Sequence, residues 1–228
     1  MQPVSGKQGG PLVKLFIDTA NIEEIREIAR WGVIRGVTTN PKIFSTEDVD
    51  LKTRVDEILS VVPGPLSVEV TTNDLDEMII EAQRYASWSE HIVVKVPMGP
   101  TGLQAVRVLK QKGIKTNVTA VMTVNQAMLA GLAGATYASI FFARINDIGY
   151  DGAQVIRQAS ALYKESAFST QIIVGSIRLL TQINEAALAG ADIITVPYKF
   201  FAQLANHPQT DKTIQEFLSA WGSVKSPV

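Results

Sequence analysis

The stretch LQAVRVLKQKGIKTNVT, residues 103–119, decides the fold. Leu103, Val106 and Leu109 recur at a spacing that gathers apolar side chains on one helical face. Gly113 follows where a helix-to-strand loop needs a left-handed residue, and KTNVT (115–119) reads as a short strand. The same junction returns at Trp31-Gly32-Val33, Ala133-Gly134-Ala135 and Ala189-Gly190-Ala191. A chain built from helices that return to strands through tight glycine loops assembles βαβ units and a parallel sheet.

Eight apolar, β-branched runs fit this scheme: KLFID (14–18), VIRGVT (33–38), LSVEV (66–70), IVVKV (92–96), KTNVT (115–119), YASIFF (137–142), QIIV (171–174) and IITV (193–196). Eight strands, each followed by a helical stretch such as the one carrying Ile22, Ile25, Ile28 and Ala29, are the pattern of a closed (β/α)8 TIM barrel. The structural alternative is an open doubly wound sheet, which usually places a glycine-rich loop after its first strand. Here that strand runs into Asp18-Thr19-Ala20-Asn21, which contains no glycine. Beyond the eighth run, residues 200–204 fit a short helix. An additional C-terminal helix over 211–222 carries Ile214, Phe217, Leu218 and Trp221 in one stripe. That stripe is expected to bury itself on a neighbouring subunit or on its own barrel.

The 228 residues, 46% hydrophobic with a formal net charge of −1, suit one compact soluble domain spanning 14–228. Residues 1–13 (MQPVSGKQGGPLV) read as a disordered leader or an expression remnant, since they lack the apolar centre of a signal peptide. The absence of cysteine rules out disulfides, thiolate metal sites and cysteine nucleophiles, and is compatible with a cytoplasmic protein. No apolar run approaches the roughly 20 residues of a membrane span. The scattered basic residues argue against a nucleic-acid partner.

In a barrel the chemistry lies at the C-terminal ends of the strands. Read in order, these ends supply Asp18, then Thr38-Thr39-Asn40, Glu69, Lys95, Asn117 and Thr119, Arg144, and finally Ser176 and Arg178. Asp18, Glu69 and Lys95 lie within or at the end of otherwise apolar runs, where a charge is inward-facing or costly. One reading of Lys95 is a lysine snorkelling to solvent. The other is a buried lysine whose neutral amine attacks carbonyl carbon, which suits a central strand followed at once by Pro97, with two carboxylates at other strand tips. Lys14 and Lys115 open strands at the opposite end, Lys42 follows Asn40-Pro41 in a loop, and Lys199 follows Pro197 where a helix begins, so these four read as surface residues. His91 and His207 are the only histidines and neither is at a strand tip. Neither a metal centre nor a Ser/His/Asp triad is therefore expected.

Taken together, Phe16-Ile17-Asp18-Thr19-Ala20, Gly36-Val37-Thr38-Thr39-Asn40-Pro41 and Val93-Val94-Lys95-Val96-Pro97 resemble the signature stretches of the transaldolase family. The resemblance is to the short microbial transaldolases and the related fructose 6-phosphate aldolases, and it runs from about Lys14 into the C-terminal helix. It implies a cofactor-free transfer of a dihydroxyacetone unit from a ketose phosphate to an aldose phosphate, as in the pentose phosphate pathway. Lys95 would form the Schiff base and Asp18 would take the C4 hydroxyl proton. Glu69 and Thr119 would move protons through a water. Asn40 and Asn117 would hold the hydroxyls of the three-carbon enamine, with Thr38, Ser139 and Phe141 lining the site. Arg144, Ser176 and Arg178 would take the phosphate, because a guanidinium fork matches its oxygens. The resemblance also implies a homo-oligomer, a pentamer or decamer.

Within the family, the aldolase branch typically has glutamine at the third-strand tip and tyrosine in the sixth strand. This chain has Glu69 and Phe141 there, and with Asn117 they match the transferring branch. The alternatives are an aldolase releasing free dihydroxyacetone and a sugar-phosphate-binding barrel without catalysis.

Overall fold

The computed structural model describes residues 13–45 and 49–222. The leader expected over 1–13 lies, apart from Val13, outside the described residues. Eight parallel strands close into a barrel in sequence order: β1 (Lys14–Asp18), β2 (Ile34–Thr38), β3 (Leu66–Glu69), β4 (Ile92–Pro97), β5 (Thr116–Val121), β6 (Tyr137–Phe141), β7 (Gln171–Gly175) and β8 (Ile193–Pro197). The open-sheet alternative is thereby excluded, since β1 pairs with both β2 and β8.

The outer layer consists of α1 (Ile22–Ala29), α2 (Pro41–Phe44), α3 (Leu51–Val61), α4 (Leu75–Ala86), α5 (Pro100–Gln111), α6 (Val124–Ala133), α7 (Phe142–Asp147), α8 (Gly152–Glu165), α9 (Leu180–Ala189) and α10 (Tyr198–Ala205). The final helix is α11 (Pro208–Trp221). Gly32, Gly113, Gly134 and Gly190 all adopt the left-handed conformation, as their place between helix and strand requires. Phe142, expected to end the sixth strand, instead opens α7. The Ala143 N–H leaves the ladder to donate to the Ser176 carbonyl at 3.2 Å, which pulls the chain into a helical turn.

Strand alternation sorts the side chains into two cores. Val94 and Val96 of β4 join Ile17, Val118, Ile140 and Val196 in the main layer against the helices. A separate cluster of Phe16, Val93, Tyr137, Ile173 and Ile193 fills the barrel interior, with the Phe16 and Tyr137 rings edge to face at 6.4 Å. Residues two positions further along these strands must then face inward too, above this apolar plug. They include Asp18, Lys95, Ser139 and Thr195. Gly36 is forced by close approach, because a Cβ there would meet the Pro65 carbonyl at 2.6 Å and the Phe16 ring at 2.7 Å.

The C-terminal stripe does not bury itself on its own barrel. No residue of α11 is buried, and Phe217 and Trp221 are 69% and 74% exposed. No helix among the described residues is long and apolar enough to cross a membrane.

Candidate active site

Register sets the polar layer. Across β3, β4 and β5, Glu69 is level with Lys95 and Lys95 with Asn117, so the three side chains project inward side by side. Lys95 is 6% exposed. Its Nζ is 3.1 Å from Glu69 Oε2 and donates to the Thr39 carbonyl at 3.1 Å. The snorkelling alternative is therefore excluded: the amine points into the barrel and is held there by partners from β3 and the β2 tip.

Asp18 completes the charged set from β1. Its Oδ1 accepts from Thr38 Oγ1 at 2.7 Å. The carboxyl borders a cavity but is otherwise surrounded by protein. That burial raises its pKa above the ordinary 3.8, against the opposing attraction of Lys95 and the Thr38 hydrogen bond. A carboxylate made more basic this way is better matched to abstracting a hydroxyl proton.

The cavity is about 160 Å³ and is lined by Asp18, Thr38, Asn40, Lys95, Ser139 and Phe141, with Arg144, Gly175, Ser176 and Thr195 completing it. Asn40 caps α2, its Oδ1 accepting from Ile43 N at 3.1 Å, so what it offers the cavity is the amide nitrogen. Arg144 packs over the Phe141 ring at 5.6 Å, which aims its guanidinium along the cavity rim. Ser176 takes a left-handed conformation, φ 58°, although glycine precedes it. Strain of this kind persists where the surroundings over-determine it, and here its carbonyl is fixed by Ala143 of α7.

Four of the expected residues lie elsewhere. Asn117 is fully buried below the cavity, donating to Ser67 Oγ at 3.1 Å and accepting from Ser139 Oγ at 2.8 Å, so it orients Ser139. Glu69 stands behind Lys95. Thr119 is buried and its Oγ1 has no protein partner, at a strand irregularity where Ala120 has φ 59°. An orphaned buried hydroxyl asks for a water or a substrate oxygen. Arg178 lies outside the cavity in a half-exposed ion pair with Asp147 of α7, 2.6 Å away. Its backbone N–H is pinned by Gln182 Oε1 at 2.8 Å.

The strand tips are held from below by side chains on the following helices. Thr19 Oγ1 donates to Glu24 at 2.5 Å, Glu81 accepts from Thr71 N at 2.8 Å, and Gln126 accepts from Met122 N at 2.8 Å. Glu81 also accepts from Tyr85, whose pKa is pushed up to about 12 by burial and by that bond. Sequence reading missed these ties, and it missed Thr195, Ser67 and the Thr39 carbonyl. The signal for Thr195 was available: it is the lone polar residue in Ile193–Pro197, as Lys95 is in Ile92–Pro97.

The two histidines stay away from the cavity. His91 precedes β4 with its carbonyl accepting from Leu66 N, and His207 caps α11 through Nδ1. Among the described residues no group of three or more His, Asp or Glu side chains is arranged to hold a metal. A larger apolar cavity, about 800 Å³, opens at the opposite end of the barrel beside Val13, Val33 and Tyr137, where no comparable set of reactive groups converges.

Comparison with known proteins adds an independent line. The family model described as Transaldolase/Fructose-6-phosphate aldolase matches residues 15–226. A "Probable transaldolase" of Alkaliphilus metalliredigens is 48% identical over 93% of this chain and 100% of its own length. Those of Geobacillus thermodenitrificans and Lactiplantibacillus plantarum are 48% and 47% identical, each over 92% of this chain and over 98% and 96% of their own lengths. Among solved structures, thiamine phosphate pyrophosphorylase from Pyrococcus furiosus superposes with a TM-score of 0.54 over 81% of this chain and 85% of that one. A mutant flavocytochrome b2 with benzoylformate gives 0.58 over 83% and 57%. At 14% and 11% identity these two share the fold alone.

Proposed function

Because the chain belongs to the transaldolase/fructose-6-phosphate aldolase family, we propose that it transfers a dihydroxyacetone unit between sugar phosphates through a Schiff base on Lys95. The observation that carries the reading is the inward-facing Lys95 amine, flanked by Glu69 and sharing a cavity with the more basic Asp18.

An ammonium must lose a proton before it attacks, and in this reading Glu69, 3.1 Å away, takes it. Nζ adds to the ketone of a ketose phosphate, and the carbinolamine loses water to give an iminium. Glu69 returns the proton that this dehydration consumes, through a water held at Thr119. Asp18 then removes the C4 hydroxyl proton. The C3–C4 bond breaks, its electrons pass to the iminium nitrogen, and the shortened aldose phosphate leaves. An acceptor aldose phosphate enters, the enamine carbon attacks its carbonyl, and Asp18 returns its proton to the new hydroxyl. Hydrolysis frees Lys95. Every step uses groups of the chain and water, so no metal or cofactor is called on. Arg144 and Ser176 at the cavity take the phosphate, and Arg178 reaches it by leaving Asp147.

Transfer is favoured over simple cleavage by Phe141, which lines the cavity with no hydroxyl to protonate the enamine or place a water. With fructose 6-phosphate as donor, release of glyceraldehyde 3-phosphate is expected to slow at least about a hundredfold when erythrose 4-phosphate is withheld, the span of one missing acid–base catalyst. Equal rates with and without acceptor would make the enzyme an aldolase instead.

The same reading includes a cytoplasmic homo-oligomer in which the exposed face of α11 docks on a second copy. Deleting residues 211–228 is expected to break the assembly, read as solution mass by sedimentation. A truncated chain that assembles fully would contradict it.

A further inference from the structure

Thr195 lines the cavity, yet the reaction as written gives it no part. It projects inward from β8 and is 5% exposed. Its Oγ1 is 2.6 Å from Thr38 Oγ1, which in turn donates to Asp18 Oδ1 at 2.7 Å. A threonine hydroxyl has one proton. The proton of Thr38 goes to the carboxylate, so in the 2.6 Å contact Thr195 must be the donor. The chain Thr195 to Thr38 to Asp18 thus has a single direction. Each donation polarises the next, so the second hydroxyl strengthens the bond that the first makes to the carboxylate.

We propose that Thr195 is a positioning residue that acts through Thr38 to keep the Asp18 carboxylate ionised and in one orientation. This rests on Asp18 being the base of the transfer reaction. With Oδ1 engaged by Thr38, Oδ2 is left to take the C4 hydroxyl proton. Lys95 also favours the ionised carboxylate, but through charge alone, whereas the hydrogen bond from Thr38 fixes Oδ1. The charged groups facing Asp18 are Lys95 from β4, with Glu69 behind it, and Arg144 from α7 at the rim, while β2 and β8 present threonines. Without the Thr195 hydroxyl, Thr38 is no longer polarised by a second donor and donates more weakly to Asp18. Asp18 then protonates at a higher pH.

Thr195→Val and Thr195→Ser separate the hydroxyl from the methyl group, which stands 3.3 Å from where a Cβ on Gly175 would lie. The valine variant is expected to lose about three- to tenfold in kcat, the worth of one hydrogen bond. Its kcat/KM profile should also have its acid limb moved to higher pH. Borohydride trapping of donor on Lys95 should persist, because imine formation does not use Asp18. The serine variant should recover both rate and limb. An unmoved limb in Thr195→Val, or a Thr195→Ser as impaired as the valine, would overturn the assignment. Failure of the unsubstituted enzyme to trap donor at all would instead overturn the Schiff-base reading beneath it.

Discussion

Replacing Lys95 by arginine or by methionine is expected to abolish transfer, with kcat falling by about 10⁴-fold or more. The two variants lose the nucleophile for different reasons and disturb the site differently. Arginine keeps a cation beside Glu69 and facing Asp18, but its guanidinium stays protonated and forms no imine. Methionine keeps an unbranched chain of similar bulk and deletes the charge. It therefore strips Asp18 of the attraction that holds its pKa down and leaves Glu69 without its cation. Loss of activity in both, with near-native circular dichroism, would assign the loss to the amine. Activity within tenfold of the unsubstituted enzyme in either variant would remove Lys95 from the mechanism.

Asp18→Asn carries the second large effect, and it has opposite signs for rate and stability. Activity should fall about 10²- to 10⁴-fold, the range for loss of a general base. The stability change follows from the raised pKa. Burial makes the folded state bind the Asp18 proton more tightly than the unfolded chain, whose value is near 3.8. Between these two values the native state holds more protons, so stability falls as pH rises through that window. At pH 7.5, well above the unfolded value, the wild type is penalised for burying this carboxyl in a way that asparagine is not. Asp18→Asn should thus be the more stable protein in thermal unfolding at pH 7.5. Its advantage should shrink as the pH is lowered through 3.8, below which both states of the wild type are protonated. A variant less stable at neutral pH, or a gain indifferent to pH, would count against the burial argument. Trapping would add a chemical signature, since the asparagine variant can form the iminium but not cleave it. The reduced adduct would then retain all six carbons of fructose 6-phosphate.

What the sequence made legible was governed by local rules. Strand alternation alone, with Val94 and Val96 outward, turns Lys95 into the barrel, and the glycines at 32, 113, 134 and 190 mark the returns to the sheet. Two elements escaped for lack of length, because α2 and α7 have four and six residues and neither completes two helical turns. The remaining differences are non-local. Asn117 stands at the expected strand position, but bonds to Ser67 and Ser139 hold it beneath the cavity. Arg178 follows a strand tip as expected, yet its guanidinium is paired with Asp147, which comes from a different βα unit. Such partners meet only once strands distant in sequence are set side by side in the sheet. Thr195 was within reach of the same argument that found Lys95, a polar residue alone in an apolar strand, and lacked only a charge to draw attention to it.

The central claim is a covalent bond between Lys95 Nζ and the donor ketone carbon. It is tested most directly by incubating the full chain with fructose 6-phosphate and borohydride, then mapping the product by peptide mass spectrometry. A reduced three-carbon adduct on the peptide carrying Lys95, absent from Lys95→Arg, is the result the account predicts. A chain that turns over fructose 6-phosphate yet carries no adduct, or one whose adduct persists in Lys95→Arg, would contradict it.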